Sequence, residues 1–213
     1  MADLTRLTIV NIPLDLQIII CIFLRPIDIL ALRKVCHQSM LDLLVAHVAG
    51  EYIKTCKAFE FTTRQRVVWL AALHRVCVDN TLFLPSFPTS DMSDLELEKA
   101  AMGPRRWIDL CGTFKKQNPS DPDAILRLRT TRTLRDASML LMPYIFLVPG
   151  GRYLVIAGNK GLFVWDLGYV SNPCCVLIAS IGLEGGSQYE LACMVRATQD
   201  EMGLIILVYH FKR

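Results

Sequence analysis

The sequence carries little charge and few aromatic residues: Asp, Glu, Lys and Arg make up 20% of 213 residues, and Phe, Trp and Tyr 8%. This is not a disordered polar chain, because 53% of it is hydrophobic and its mean hydropathy is +0.37. An excess of one charge sign is missing as well. The net charge of +3, with a pI near 8.4, is too mild to argue for nucleic acid. Long apolar runs are also absent. The best N-terminal candidate, Ile9 to Leu24, is interrupted by Asn11, Pro13, Asp15 and Gln17. A spanning helix needs about 20 mostly apolar residues, so this segment is expected to pack or to bind a partner rather than a membrane. The opening MADLTR lacks a basic stretch leading into a clean apolar segment and a small-residue cleavage site. The expected location is intracellular, cytoplasmic or nuclear.

No cysteine pair has C-x-x-C spacing. Cys21, Cys36, Cys56, Cys77, Cys111, Cys174, Cys175 and Cys193 mostly sit inside apolar runs, and Cys174-Cys175 has no histidine at zinc-site spacing. Buried free thiols are expected, with no metal site and no disulfide scaffold. No glycosylation acceptor occurs, since Asn118 is followed by Pro119. G-x-S-x-G, P-loop, G-x-G-x-x-G and H-E-x-x-H motifs are all lacking, which speaks against an enzyme and against a cofactor. His37 beside Cys36 is not a catalytic pair, because adjacent helical positions point about 100° apart. His74 falls on an apolar helical stripe and reads as a hydrogen-bonded core residue. Gly158 to Gly161 is too short to cradle phosphate and reads as a hairpin turn.

What the chain does have is a change of character near residue 105. The first half is helical in periodicity. A helix over Leu14 to Leu24 is entered through Pro13, and a break follows at Arg25-Pro26. Asp28 then suits the start of a second helix, on which Ile29, Leu32, Val35 and Cys36 recur at helical spacing. A third helix is expected over Gln38 to Val48, and a fourth over Thr63 to Val78, with Val67, Leu70, Leu73, His74 and Cys77 along one face. Pro85 to Pro88 reads as a turn or linker. Ser93 with Glu96 forms a capping box for a helix from Asp94 to Met102, and Gly103-Pro104 is expected to end it. Beyond Trp107 shorter runs follow. Strands are expected at Tyr144–Val148, Tyr153–Ala157, Leu162–Leu167, Val176–Ile181, Glu190–Arg196 and Gly203–Phe211.

Residues 12–36, IPLDLQIIICIFLRPIDILALRKVC, hold the most specific pattern. Three short helices in about forty residues cannot bury this much aliphatic surface alone. Ile18, Ile19, Ile20, Ile22 and Phe23 nearly circle one helix, which calls for cover on more than one side, partly from a partner. Ile-Pro, an acidic residue two positions on, an apolar helix ending in Phe23-Leu24, then Pro26-Ile27-Asp28 and a Leu-rich helix closing on Val35-Cys36 resemble an F-box. Ile12, where that family more often has Leu, and the His37-Gln38-Ser39 stretch depart from it. The resemblance covers residues 8–50. It implies docking on the Skp-family adaptor of a cullin-based SCF ubiquitin ligase, while the rest of the chain presents an unknown protein substrate. By position it implies adaptor contacts at Pro13, Leu14, Leu16, Ile19, Phe23, Leu24, Pro26, Ile29, Leu30, Leu32 and Val35, a share of which must instead hold the helices together.

Residues 147–167, LVPGGRYLVIAGNKGLFVWDL, resemble part of a WD-repeat propeller blade, in which Trp165 packs and Asp166 helps fix a turn. The expected architecture is therefore α+β: an F-box at 8–50, a helical linker at 51–104, and antiparallel strands resembling an incomplete propeller at 105–213. The whole chain is similar to fungal-type F-box proteins. The stretch from Leu140 onward is too short to close a ring of four or more blades, so an open strand edge and poor solubility are expected. Between Pro104 and Arg135 eight basic residues face three acidic ones, but Arg127 and Arg129 alternate with Leu126 and Leu128 as on a solvated strand face. Nucleic acid is set aside because no aromatics interleave with these arginines. The alternative to a ligase adaptor is a scaffold or interaction protein outside the ubiquitin pathway.

Overall fold

The computed structural model describes residues 12–35, 57–117, 144–158, 161–169, 172–182, 189–200 and 202–212. The chain forms two compact units, one of Met1–Val76 with Thr89–Asp109, the other of Cys77–Pro88 with Leu110–Arg213. Among the described residues six helices and antiparallel strands make it an α+β protein. No helix among the described residues is long and apolar enough to cross a membrane. The third helix expected at Gln38–Val48 and the loop at 118–122 lie outside the described residues, as does the Arg-rich stretch at 127–135.

In the first unit α1 spans Leu14–Phe23, α2 covers residues 26–35, α3 covers 57–62, α4 spans Arg66–Asp79, α5 spans Asp94–Ala101 and α6 spans Gly103–Gln117; the residues of α4 and α6 are divided between the two units. The helix expected over Thr63 to Val78 is α4, which starts three residues later, and α3 precedes it. Thr62 and Thr63 turn their hydroxyls onto the Ala58 and Glu60 carbonyls, and Arg64 and Gln65 bond back to Phe61 and Thr62 in tight turns. The buried stripe of α4 is Val68, Trp69, Ala72, Leu73, Val76 and Cys77. It is rotated from the expected one, leaving Val67 and His74 exposed, so His74 is a surface residue and not a core one. The capping box of α5 is present: Ser93 Oγ accepts from Glu96 N at 3.4 Å, and the Glu96 carboxylate accepts from Ser93 N at 2.8 Å. α5 ends at Ala101 with Met102 as its cap, ahead of Gly103-Pro104 as expected, but that pair also begins another helix. This is α6, where a residue without an N–H fits because first-turn donors have no intrahelical partner. Trp107, Ile108, Leu110 and Cys111 of α6 are exposed. Among the described cysteines, the expectation of buried free thiols holds for Cys21 and Cys77, while Cys193 is half-buried and Cys111 and Cys175 are exposed.

In the second unit β1 (Tyr144–Leu147), β2 (Tyr153–Gly158), β3 (Gly161–Tyr169) and β4 (Asn172–Gly182) form an antiparallel meander. β5 (Tyr189–Ala197) and β6 (Leu204–Lys212) form a separate hairpin. Gly158 pairs with Gly161, the register of a two-residue connection. Phe83, Val148, Val155, Ala157 and Leu162 form a buried cluster against which Val195, Ala197, Leu204 and Ile206 pack. Alternate residues of β2, β5 and β6 thus share one core. The Leu84–Ser86 turn of 3-10 helix belongs to this unit. Phe83 N donates to the Pro149 carbonyl at 2.9 Å, and the Phe83 ring meets Tyr153 edge-on at 5.7 Å. Gly150, at φ +111°, passes so close to Ser86 that a β-carbon there would lie 2.5 Å from the Ser86 β-carbon. Asp166 holds the turn ahead of β2, accepting Arg152 at 2.8 and 2.9 Å and Gly168 N at 2.7 Å.

Candidate docking surface

α1 starts at Pro13, whose carbonyl accepts from Gln17 N at 3.1 Å, with Asp15 favourably placed in the first turn. It ends as Leu24 turns extended. The orphan carbonyls at that end are covered from α4: the Arg75 guanidinium donates to Phe23 at 2.7 Å and Ile22 at 2.8 Å. Pro26 then opens α2, with the Arg25 carbonyl accepting from Asp28 and Ile29. Arg25 and Asp28 also pair by side chain at 2.8 Å, and this hydrogen bond holds the Asp28 carboxyl below its ordinary range.

The α2 side is anchored by Arg33. Its guanidinium donates to the Glu98 carboxylate at 2.8 Å and to the Thr63 carbonyl at 2.7 Å, and lies 5.6 Å from the centre of the Trp69 ring. Trp69 N–H donates to the same Thr63 carbonyl at 2.9 Å. Two helices, α4 and α5, and the turn at Thr63 therefore fix α2. Nothing in the residue spacing pointed to Arg33 or Arg75 in these roles, because both act across 30 or more residues of sequence.

The face that α1 turns inward is not its most apolar one. Gln17 and Cys21, one helical turn apart, are its buried residues. Gln17 donates to the Ile12 carbonyl and accepts from the Thr62 hydroxyl, both at 2.9 Å. Burial pushes the Cys21 thiol above its usual range, so it stays neutral. Leu14, Leu16, Ile19, Ile20 and Phe23 point outward instead, Phe23 being 72% exposed. On α2 Ile27 and Val35 are also exposed, Val35 at 62%.

Of the eleven residues implied as adaptor contacts, Pro13, Leu14, Leu16, Ile19, Phe23 and Val35 are exposed, and Leu24, Pro26, Leu30 and Leu32 are half-buried. Ile29 is fully buried and is spent on the packing of its own unit, which removes it from a contact surface. Ile20 and Ile27 are exposed without having been singled out; the run of isoleucines and the Pro-Ile-Asp element were the signals that held them. No protein-family model, curated protein or solved structure matches the chain.

Proposed function

We propose that the helical unit is an F-box-type docking element for a Skp-family adaptor, and that the β unit presents a protein substrate to the ligase so assembled. The observation that carries this reading is the inverted α1, with a hydrogen-bonded glutamine inside and five large aliphatic or aromatic side chains outside. A helix evolved only for its own core would bury those side chains, each of which gains about 1.5–3 kcal/mol when fully removed from water. Their exposure makes sense as a surface completed by another protein. The four-stranded meander, with Trp165-Asp166 in its third strand, is read as one propeller-type blade, and β5–β6 as the start of a second. The β unit would then be the recruiting half, and catalysis would belong to the enzymes brought to it.

The test is co-expression with a Skp-family adaptor followed by pull-down. The native chain is expected to co-purify. Leu16→Asp with Phe23→Asp is expected to fold, by circular dichroism and thermal melting, yet to lose the adaptor, because both positions are solvent-exposed. Ile29→Asp serves as the control that unfolds. Absence of a complex with the native chain would remove the ligase reading and leave an interaction scaffold.

A further inference from the structure

The β unit contains a half-open cleft of about 700 Å³ beside β1, β5 and β6. Its apolar wall includes Phe83, Val148, Val195 and Ala197, all of which belong to or pack against the core of that unit, so the wall is preformed. Among the described residues that line the cleft, Arg196 is the one charged residue and none is a carboxylate. Strand alternation puts Arg196, with its cross-strand partner Ile205, on the outer face of the hairpin, opposite Val195 and Ala197, and both line the cleft. Among the described residues the Arg196 guanidinium has no ion pair or hydrogen bond. The neighbouring hydroxyl, that of Thr198, is already committed to Asp200 and to Gly203. An apolar wall with a single unspent arginine beside it selects an apolar group with a carboxylate close by, since the guanidinium fork matches a carboxylate and resists replacement by other cations.

We infer that this cleft is the substrate-recognition site of the β unit and takes an extended peptide segment with a bulky apolar side chain and a carboxylate within a residue or two of each other. The apolar side chain lies on the Phe83, Val148 and Val195 wall, and the carboxylate pairs with Arg196. A peptide fits better than a free small molecule because the cleft is open along one side. Sites for small ligands enclose most of the ligand surface, whereas an open cleft lets a chain enter and leave. This assignment rests on the reading of the β unit as the half that recruits a protein.

The experiment pans a random octapeptide phage library on the purified full chain and on Arg196→Glu, with thermal melting to confirm that the variant folds. The native chain is expected to enrich sequences that combine Leu, Ile, Phe or Trp with Asp or Glu. An enriched peptide, labelled with fluorescein, is expected to bind at least tenfold more weakly to Arg196→Glu and to Ala197→Trp, which fills the cleft. Changing its acidic residue to Lys is expected to restore binding to Arg196→Glu. No enrichment, enrichment without acidic residues, or equal binding to Arg196→Glu would each overturn the proposal. Saturable binding of dodecanoate without peptide enrichment would also overturn it, by assigning the cleft to a free acid. The adaptor pull-down is read separately: a chain that binds the adaptor but enriches no peptide loses only the cleft assignment, and one that enriches peptides without binding the adaptor loses only the ligase reading.

Discussion

Gln17 and Thr62, 45 residues apart in sequence, share a buried hydrogen bond of 2.9 Å that ties α1 to the end of α3. Gln17 also satisfies the Ile12 carbonyl, and Thr62 has a second acceptor in the Ala58 carbonyl. Gln17→Leu is therefore expected to destabilise the protein by about 1–3 kcal/mol, the cost of orphaning a buried polar group. Adding Thr62→Val removes the other partner of the same bond, so the double variant should lose less than the sum of the single ones. Urea denaturation of the four proteins measures this coupling; strict additivity would mean that the bond does not orient α1.

The local grammar of this helical unit was legible and its tertiary logic was not. Pro13 and the Ser93–Glu96 box marked helix starts because each acts within a turn of itself, whereas Asp28 marks α2 two residues late, since that helix starts at Pro26. The stripe on α4 was misplaced because Val67 and His74 fit the period as well as Trp69 and Val76 do, and only the packing of neighbouring helices chooses between them. Gly103-Pro104 reads as a stop from composition, yet the same pair is compatible with a first helical turn. The outward face of α1 lay in the run of isoleucines, but the choice of Gln17 as its inward residue depended on Thr62, which no spacing rule connects to it.

Arg33 ties α2 to Glu98 and to the Thr63 carbonyl while lying against Trp69. Both members of the ion pair are mostly shielded, with side chains 21% and 22% exposed, so the pair is worth more than a surface one. Lysine keeps the charge but cannot serve both acceptors with a planar fork. Arg33→Lys is expected to cost roughly 2 kcal/mol in urea denaturation. A loss indistinguishable from that of Arg25→Lys, in an exposed pair, would contradict the anchoring role.

Asp166 gives the β unit an acid-sensitive element. The hydrogen bond from Arg152 is the main cause that holds its carboxyl below the ordinary range, helped by the Gly168 N–H and opposed by partial burial. A carboxyl depressed in the folded state binds its proton more readily when unfolded. Its contribution is present above the unfolded value of about 3.9 and is lost as pH falls through the folded value. Asp166→Asn is expected to be less stable than the native chain at pH 7, with the gap narrowing below about pH 4. Thermal melts between pH 7 and pH 2.5 would show this, and a constant gap would contradict it.

Two glycines should respond to alanine in opposite directions. Gly161 has φ +154°, and a β-carbon there would collide with the Ile181 carbonyl oxygen on the adjoining strand. Gly161→Ala is expected to cost about 1–3 kcal/mol and to weaken the pairing of β3 with β4. Gly112 lies within α6 with nothing within 4 Å of a built β-carbon. Gly112→Ala is expected to stabilise by about 0.5–1 kcal/mol through reduced backbone entropy of the unfolded chain. Melting temperatures of the two variants, measured side by side, separate steric strain from propensity.

β4 is the outer strand of its sheet among the described residues, and it carries no charge over Asn172–Gly182. Residues 175–182 are exposed, including Val176, Leu177, Ile178 and Ile181. Natural edges are normally blunted by lysine, proline or a bulge. Here Pro173 sits at the start of the strand, opposite Gly168, and register shifts fall beside Val164–Trp165 and Asp166–Gly168. The stretch from Ala179 to Gly182 lacks these protections. Such an edge pairs with any extended chain, including another copy, so the native chain is expected to elute as concentration-dependent assemblies at micromolar concentration. Ile178 falls at the register shift, where Ala179 pairs with Val164 and Leu177 with Trp165, so a long cationic side chain there disturbs the sheet least. Ile178→Lys should shift elution toward the monomer without lowering the melting temperature. Clean monomeric elution of the native chain would show that this edge is protected, and unchanged assemblies of Ile178→Lys would place the association elsewhere.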